Sequence, residues 1–184
     1  MIQKIMAKRP ELVYLRDEDG DTPLYYAVDI GYVDGFHILL RNSLLKLDQT
    51  ALERNKNGHL PLHLACKRGN VEMVKEFFEP EWPINPYVLL NQKGQNILHI
   101  AAKNGRSNVV QYLLRNCKAD NLSINQKDND GNTPLHLASK NLFPEVIYFI
   151  TQDNRTDVNL TNKDSLTTGD IIKTFELQEL RQRK

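Results

Sequence analysis

Hydrophobic and polar residues recur in the same order four times along this 184-residue chain. The copies read GDTPLYYAVDI from Gly20, GHLPLHLACKR from Gly58, GQNILHIAAKN from Gly94 and GNTPLHLASKN from Gly131. A fifth and weaker copy, SLTTGDII, begins at Ser165. Successive copies start 38, 36, 37 and 34 residues apart. A repeat period in this range predicts units that stack on one another, because a single unit cannot bury its own hydrophobic face.

Each complete copy predicts a tight turn that leads into a helix. Three positions before its first glycine stands an Asp or Asn, which favours an Asx turn; these residues are Asp17, Asn55, Asn91 and Asp128. Thr22 and Thr133 stand where a hydroxyl can cap the helix, and a proline follows each at the first helical position. Asn96 keeps the cap, whereas Leu60 lacks one, at an expected cost of about 1 kcal/mol to that helix.

The turn is followed by two predicted helices, an inner and an outer one. The inner helix carries a leucine and, three positions later, an alanine, whose small side chain allows neighbouring units to pack closely. Gly31, Gly69 and Gly105 end three inner helices as left-handed caps, and the outer helix has apolar residues at helical spacing. Leu142 replaces this glycine in the fourth copy, which predicts backbone strain or a rearranged turn assisted by Pro144.

The predicted fold is therefore all-α, a solenoid of stacked helix-turn-helix units from which β-turns project. We expect a single domain over residues 1–184. Its parts are a partial repeat at 1–16, full repeats at 17–54, 55–90, 91–127 and 128–161, and a degenerate terminal repeat at 162–184. Residues 1–9 resemble the end of an outer helix whose inner partner is missing, with Ile2, Ile5 and Met6 on one face.

The chain resembles the ankyrin-repeat family, whose signature T-P-L-H-x-A occurs as TPLHLA at residues 133–138. The resemblance covers nearly the whole chain. It implies a non-catalytic module that binds another protein on its concave face, which consists of the turn tips and the exposed ends of the inner helices.

A narrower resemblance is to plant ankyrin proteins related to accelerated-cell-death and salt-tolerance factors, and it is carried by the phrases KDNDGNTPLHLASKN and TNKDSLTTGDII. Those proteins have a C-terminal membrane domain named for a Pro-Gly-Gly motif. This chain stops at ELQELRQRK, about where that domain would begin, so no direct membrane insertion is expected. The resemblance implies a role in plant defence or stress signalling. The alternative is a soluble modulator or cytoplasmic fragment of a membrane ankyrin protein, with a channel-like homologue as partner.

Composition excludes several other classes of function. With 26% charged residues and a formal net charge of +1, the chain has no overall field that would attract nucleic acid or anionic lipid. No stretch approaches the roughly 18 apolar residues of a membrane span, and the N-terminal residues lack the apolar segment of a secretory signal. Two cysteines form no disulfide framework. These features predict a cytoplasmic monomer. Under the alternative function, the chain would lie at the cytoplasmic face of the plasma membrane.

Three histidines occupy the same position in successive repeats, namely His63, His99 and His136, and Tyr25 takes that position in the first repeat. Zinc ligands would have to converge within a few ångströms, whereas successive repeats stack roughly 10 Å apart. The favoured interpretation is that each imidazole joins the turn backbones of adjacent repeats through its two ring nitrogens. No metal site is expected.

No enzymatic activity and no cofactor are expected either. Cys66 occupies a position filled in the other repeats by Val28, Ala102 and Ser139, and is interpreted as a small buried residue. Cys117 lies near the end of an outer helix without an evident activating group. The chain has no Gly-rich phosphate loop, no zinc-protease motif and no nucleophile elbow.

One irregular insertion, EPEWPINPYVLLN at residues 79–91, interrupts the repeats. Its three prolines exclude a helix. The aromatic rings of Trp82 and Tyr87 then have two possible roles, to pack over the ends of neighbouring outer helices or to contact a partner. Packing is the favoured interpretation.

The resemblance assigns partner binding to the turn tips and the inner-helix ends. The tips are Glu18, Asp19, Asp21, Lys56, His59, Lys93, Gln95 and Asn132, and the helix ends are Asp29, Lys67, Arg68, Lys103, Asn104 and Lys140. The first repeat is thus acidic, while a basic row consisting of Lys67, Arg68, Lys103 and Lys140 follows in the next three repeats. Two interpretations of this row stay open, an ordinary solvated surface or a contact for acidic residues of a partner.

Overall fold

A computed structural model describes residues 8–45, 53–78, 89–116 and 123–182. The chain forms two compact units, Met1–Pro86 and Tyr87–Lys184. A single domain over residues 1–184 stays a prediction. The proposed outer-helix end at Ile2, Ile5 and Met6 lies outside the described residues.

The first unit contains a short 3-10 helix, Pro10–Tyr14, followed by two helical pairs. The helices are α1 (Pro23–Asp29), α2 (Val33–Leu45), α3 (Pro61–Arg68) and α4 (Val71–Glu76). The inner helices α1 and α3 pack against each other, and each packs against the outer helix that follows it. Between the outer helices, the rings of Phe36 and Phe77 lie 5.8 Å apart and are fully buried. The apolar stripes of the sequence therefore form the core of this unit.

The second unit contains two further pairs and a longer terminal helix. These helices are α5 (Ile97–Lys103), α6 (Ser107–Asn116), α7 (Pro134–Lys140), α8 (Pro144–Thr151) and α9 (Thr168–Gln182). The inner helix α7 packs against α5 on one side and α9 on the other, and the outer helices α6 and α8 pack together. Leu98, Ala101, Val109 and Ile150 are fully buried in the resulting core. No strand occurs in the described parts of the chain, so the predicted all-α repeat fold is confirmed.

Helix capping follows the prediction in two repeats and departs from it in the first. Asn96 accepts from the His99 N–H (3.0 Å), and Thr133 accepts from the His136 N–H (3.4 Å). The predicted cap at Thr22 is wrong: its side chain makes no capping bond, and its buried hydroxyl has no hydrogen-bond partner among the described residues. The Thr133 hydroxyl also meets the His136 ring, at 2.7 Å, and this contact is missing in the first repeat because a tyrosine replaces the histidine.

The degenerate fifth repeat keeps its turn and forms a single long helix, α9. Thr167 and Asp170 hold its start, because the Thr167 N–H and hydroxyl donate to Asp170 Oδ2 at 3.0 and 2.6 Å. Asp170 thus takes over the role that histidine has in the preceding repeats. Ile171 is buried, and α9 closes the unit by packing on α7.

The expected strain at Leu142 is present. Its φ of 55° lies in the left-handed region, where Gly31, Gly69 and Gly105 stand in the other repeats. The side chain is 50% exposed. A leucine here bears the steric cost of this conformation, about 1 to 2 kcal/mol, without much burial to offset it.

Replacing Leu142 by glycine is expected to stabilise the protein by about 1 kcal/mol, because the relieved strain exceeds the added entropy of the unfolded chain. Thermal denaturation should show a rise in Tm of roughly 2 to 4 °C. The matched control is Val158→Gly, which introduces the same entropy at an exposed residue whose φ is not positive and should lower Tm. A fall in Tm for Leu142→Gly would mean that Leu142 is a packed residue.

Candidate functional site

The turns that precede the inner helices are built by Asp and Asn side chains. In the fourth repeat, Asp128 Oδ1 accepts from the N–H groups of Asp130 (3.0 Å) and Asn132 (2.9 Å), and the Gly131 N–H donates to the Asp128 carbonyl (2.9 Å). Equivalent bonds form around Asp17, Asn55, Asn91 and Asn162. The predicted Asx turns are confirmed.

Within each unit, neighbouring turns are joined through their backbones. The Lys56 N–H donates to the Asp19 carbonyl at 2.9 Å. In the second unit, the Asn129 N–H donates to the Lys93 carbonyl (2.9 Å), and the Lys163 N–H donates to the Asp130 carbonyl (3.1 Å). Each of these turns is therefore fixed in register by the turn before it.

Side chains form a second set of links between turns, which we call the polar ladder: the pairs Asp21–Asn55, Gln95–Asp128 and Asn132–Asn162. Their hydrogen bonds measure 2.8, 2.9 and 3.1 Å. Gln95 and Asn132, which are predicted to bind a partner at the turn tips, are only 5% and 3% exposed. Their amide groups are used to hold the next turn.

His99 and His136 join adjacent repeats, as expected. The Asn96 N–H donates to His99 Nδ1 (3.3 Å), and His99 Nε2 bonds the Asn132 carbonyl of the next repeat (3.1 Å). His136 contacts the Thr133 N–H (3.2 Å) and the Leu166 carbonyl (3.1 Å) in the same way. Burial lowers the pKa of His99 to about 4, so its ring is neutral at neutral pH.

Tyr25 replaces the imidazole in the first repeat with a single oxygen. Its hydroxyl donates to the carbonyl of His59 and also lies 3.0 Å from the carbonyl of Glu53. The Asn55 N–H donates back to this oxygen at 3.3 Å. Burial raises the pKa of Tyr25, so the hydroxyl keeps its proton and its donor role.

The remaining predicted tips differ in exposure. Glu18, Asp19, Lys56 and Lys93 are exposed, whereas His59 and the ladder residue Asp21 are half-buried. Glu18 and Asp19 have no ion-pair partner within the described ranges. They leave an unneutralised acidic turn on the first repeat.

The predicted helix-end residues of the first unit partly neutralise each other. Arg68 Nε donates to Asp29 Oδ1 at 2.8 Å, and an Arg68 Nη2 contact adds to this ion pair. Lys67 beside it is exposed. The basic row therefore loses the net charge of Arg68.

In the second unit, Lys103 is exposed, and no acidic partner of it is found among the described residues. Lys140 Nζ lies 4.0 Å from Asp164 Oδ2, a long surface pair that contributes little. Asn104 closes its own helix, since its Nδ2 donates to the Ile100 carbonyl at 2.8 Å. Lys103 and Lys140 are thus the charges that this surface offers to a partner.

Two exposed residues of the first unit were not anticipated from the sequence. Tyr26 is 53% exposed and Ile30 is 73% exposed, although Tyr26 lies in inner helix α1 and Ile30 directly follows its last residue. Helical periodicity alone assigns such residues to a core. Asn104 and Asn141 stand at the position of Ile30 in the third and fourth repeats. These polar residues are the sequence signal that this position is exposed rather than part of the core.

Cys66 is fully buried, like Val28, Ala102 and Ser139 at the same repeat position, which confirms its interpretation as a small core residue. Burial raises the pKa of its thiol. Among the described residues, no three His, Cys, Asp or Glu side chains are grouped to hold a metal ion. Cys117, Trp82 and Tyr87 lie outside the described residues, so their interpretations stay predictions.

No described helix combines the length and the apolar character that a membrane crossing requires.

The described chain consists of helical pairs whose turns are joined by hydrogen bonds. The side chains on the turn tips and helix ends differ between repeats. This arrangement defines a helical repeat protein. The sequence pattern of the family "Ankyrin repeats (3 copies)" matches residues 41–122 and 83–162. The chain belongs to the ankyrin-repeat family. Ankyrin repeats mediate binding to other proteins, and proteins of this family are generally non-catalytic interaction modules.

Three relatives show how widely this module is used. The chain is 27% identical over 169 residues to the "Probable 26S proteasome regulatory subunit p28" of Saccharomyces cerevisiae, covering 90% of this chain and 70% of that protein. It is 32% identical over 152 residues to human "Transient receptor potential cation channel subfamily A member 1", covering 81% and 12%. It is 28% identical over 143 residues to the rat "Nuclear factor NF-kappa-B p105 subunit", covering 74% and 14%. The narrower resemblance to plant ankyrin proteins stays a prediction.

Proposed function

We propose that this chain binds a partner protein through the turn tips and inner-helix ends, and that the partner presents acidic residues to the lysines of the basic row, Lys67 in the first unit and Lys103 and Lys140 in the second. The observation that carries this proposal is the division of polar groups in each repeat. The Asx side chains are used to build the turns and the ladder side chains to link repeats, whereas Lys67 and Lys103 at the helix ends are exposed. Charges at an interface rim steer association and are screened by salt.

Changing Lys67, Lys103 and Lys140 together to glutamate is expected to abolish binding while leaving the fold intact. The partner is first captured from native tissue on the immobilised chain and identified by mass spectrometry. Its affinity is then measured by calorimetry at two salt concentrations, and the wild-type affinity should fall as salt rises.

The matched control changes Lys8, Lys75 and Arg115 to glutamate, an identical change in net charge at exposed residues away from the tips and inner-helix ends. This variant should bind like the wild type. Unchanged affinity in the first triple variant would remove the basic row from the site and direct attention to Trp82 and the insertion.

The process served by this binding is proposed to be plant defence or stress signalling, on the strength of the phrases at residues 127–141 and 161–172. A monomer in the cytoplasm suits this role. Loss of the chain from the plant should then alter the response to pathogen or salt challenge, and an unaltered response would argue against it.

A second candidate is a modulator or fragment of a membrane ankyrin protein that acts at the cytoplasmic face of the plasma membrane. It is favoured by the 32% identity to a segment of a cation channel subunit. Co-fractionation with membranes that disappears when the membrane homologue is deleted would support it. A chain that stays in the soluble fraction with its partner would support the first candidate.

A further inference from the structure

Inner helix α1 departs from the inner helices of the second unit on one face. Tyr26 is 53% exposed, whereas Ile100 and Leu137, at the same repeat position, are 4% and 6% exposed. One turn further along the chain, Ile30 caps the end of α1, its N–H donating to the Tyr26 carbonyl at 3.0 Å, and is 73% exposed. Residues four apart lie on the same side of a helix, so the two side chains form one apolar strip.

At the position of Ile30, the third and fourth repeats carry asparagines that cap their helices. Asn104 Nδ2 donates to the Ile100 carbonyl at 2.8 Å, and Asn141 Nδ2 donates to the Leu137 carbonyl at 2.7 Å. An isoleucine has no group that can do this. The first repeat therefore lacks this side-chain cap and has an exposed branched side chain instead. Such a side chain contributes hydrophobic free energy only when another surface covers it.

The strip is bordered by negative charge on the side of the turn. The Tyr26 hydroxyl donates to Asp17 Oδ2 at 2.7 Å and thereby holds the ring beside the turn at residues 17–21. This hydrogen bond lowers the pKa of Asp17, so the carboxylate is ionised at neutral pH. Glu18 and Asp19 on the same turn are exposed and have no ion-pair partner among the described residues.

At the other end of the strip, the charges are balanced. Asp29 is occupied by Arg68 through the Nε–Oδ1 bond of 2.8 Å. The unpaired negative charge of this surface thus lies at the turn at residues 17–21, about the length of one short helix away from Ile30.

We propose that the α1 strip, Tyr26 and Ile30, docks a partner segment that carries an apolar side chain followed or preceded by lysine or arginine. The apolar side chain covers Tyr26 and Ile30, and the basic group reaches Glu18 and Asp19. This inference rests on the proposed function, since it assigns to the same binding surface a second contact of different chemistry. The partner then carries a basic and apolar segment in addition to the acidic residues that face the basic row.

Charge complementarity selects this occupant over others. An acidic peptide or an anionic lipid surface is repelled by the turn at residues 17–21. An uncharged apolar segment would form no ion pair with Glu18 or Asp19, so these two carboxylates would add nothing to its affinity. A basic and apolar segment satisfies both features together, and exposed tyrosine adds a ring face that also attracts cations.

The test uses the whole chain to select from a phage-displayed library of random peptides. Enriched sequences should combine Lys or Arg with a large apolar residue. One enriched peptide is then synthesised and its Kd measured by fluorescence anisotropy. Ile30→Asn should weaken it about tenfold or more, and Glu18→Lys with Asp19→Lys should do likewise.

Ile30→Asn introduces asparagine, the residue found at this position in the third and fourth repeats as Asn104 and Asn141. The Tm of this variant should therefore be unchanged or raised. Tyr148→Asn removes another exposed tyrosine, from outer helix α8, and should leave the Kd unchanged. These controls separate loss of the docking contact from loss of the fold.

The outcomes distinguish the inference from the proposed function. Enrichment of acidic peptides that bind Ile30→Asn normally but fail with Lys103→Glu and Lys140→Glu would overturn the inference and support the proposed function. Selection that enriches no sequence, or only sequences insensitive to both sets of changes, would overturn both. Concentration-dependent self-association that disappears in Ile30→Asn would make a second copy of this chain the occupant and overturn the inference.

Discussion

Gly131→Ala is expected to be among the most damaging single-methyl additions to this protein. Gly131 has a φ of 76°, and a Cβ at this position would lie 2.7 Å from the Lys163 backbone nitrogen and 3.2 Å from the Asn162 carbonyl carbon. The left-handed backbone costs about 1 to 2 kcal/mol for alanine. Displacing the backbone of the next turn raises the total to about 3 kcal/mol or more.

Gly31→Ala is the matched control, because Gly31 has a similar φ of 71° and, apart from its chain neighbours, no atom of the described residues lies within 4 Å of an added Cβ. It should cost only the conformational part, about 1 to 2 kcal/mol. Urea unfolding measures both values. Hydrogen exchange of the Lys163 N–H, which donates to the Asp130 carbonyl, should accelerate in Gly131→Ala and stay unchanged in Gly31→Ala. Equal losses in the two variants would show that neighbouring turns are not in the close contact described.

A second large effect is expected from pH. The pKa of His99 falls from its ordinary value of 6.5 to about 4 in the folded protein because burial disfavours the charged ring. Below pH 6.5 the unfolded chain binds a proton at His99 that the folded chain does not bind. The free energy of unfolding is therefore unaffected by His99 above pH 6.5 and decreases as pH falls below it. The slope reaches about 1.4 kcal/mol per pH unit, and the loss approaches about 3 kcal/mol at pH 4. Burial also lowers the pKa of His136, which adds a loss of the same sign.

Urea denaturation at intervals between pH 7.5 and pH 4 measures this effect. His99→Gln serves as the control, since glutamine keeps a polar group that can bond the Asn132 carbonyl but does not titrate. The variant should show a shallower slope between pH 6.5 and pH 4. Lowered carboxylate pKa values, as at Asp153 and Asp170, act below this window. An unchanged slope in His99→Gln would refute a buried neutral His99.

The helices and turns could be predicted because their signals are local. A threonine or asparagine cap, a proline and a left-handed glycine determine where a helix begins and ends within a few residues. The same local logic located the strain at Leu142, whose φ of 55° the structure shows. The exception is Thr22, which makes no capping bond and is followed three positions later by a tyrosine where the other capped helices have a histidine.

The exposure of polar groups could not be predicted in the same way. Gln95 and Asn132 are polar residues on turns, yet their partners lie in the next repeat, 33 and 30 positions along the chain. The pairing of Asp29 with Arg68 likewise joins residues 39 positions apart. Only the register between neighbouring repeats determines whether such a side chain faces a partner protein or the adjacent turn.

The polar ladder also constrains the order in which repeats follow one another. Asp21 accepts from the Asn55 amide, and the Gln95 amide donates to Asp128. If the first repeat were placed directly before the fourth, Asp21 would face Asp128, and two carboxylates would meet where one donor and one acceptor are required. Each of the three described junctions thus carries a matched donor and acceptor. A recombinant array that rearranges these repeats must therefore transfer both members of each pair.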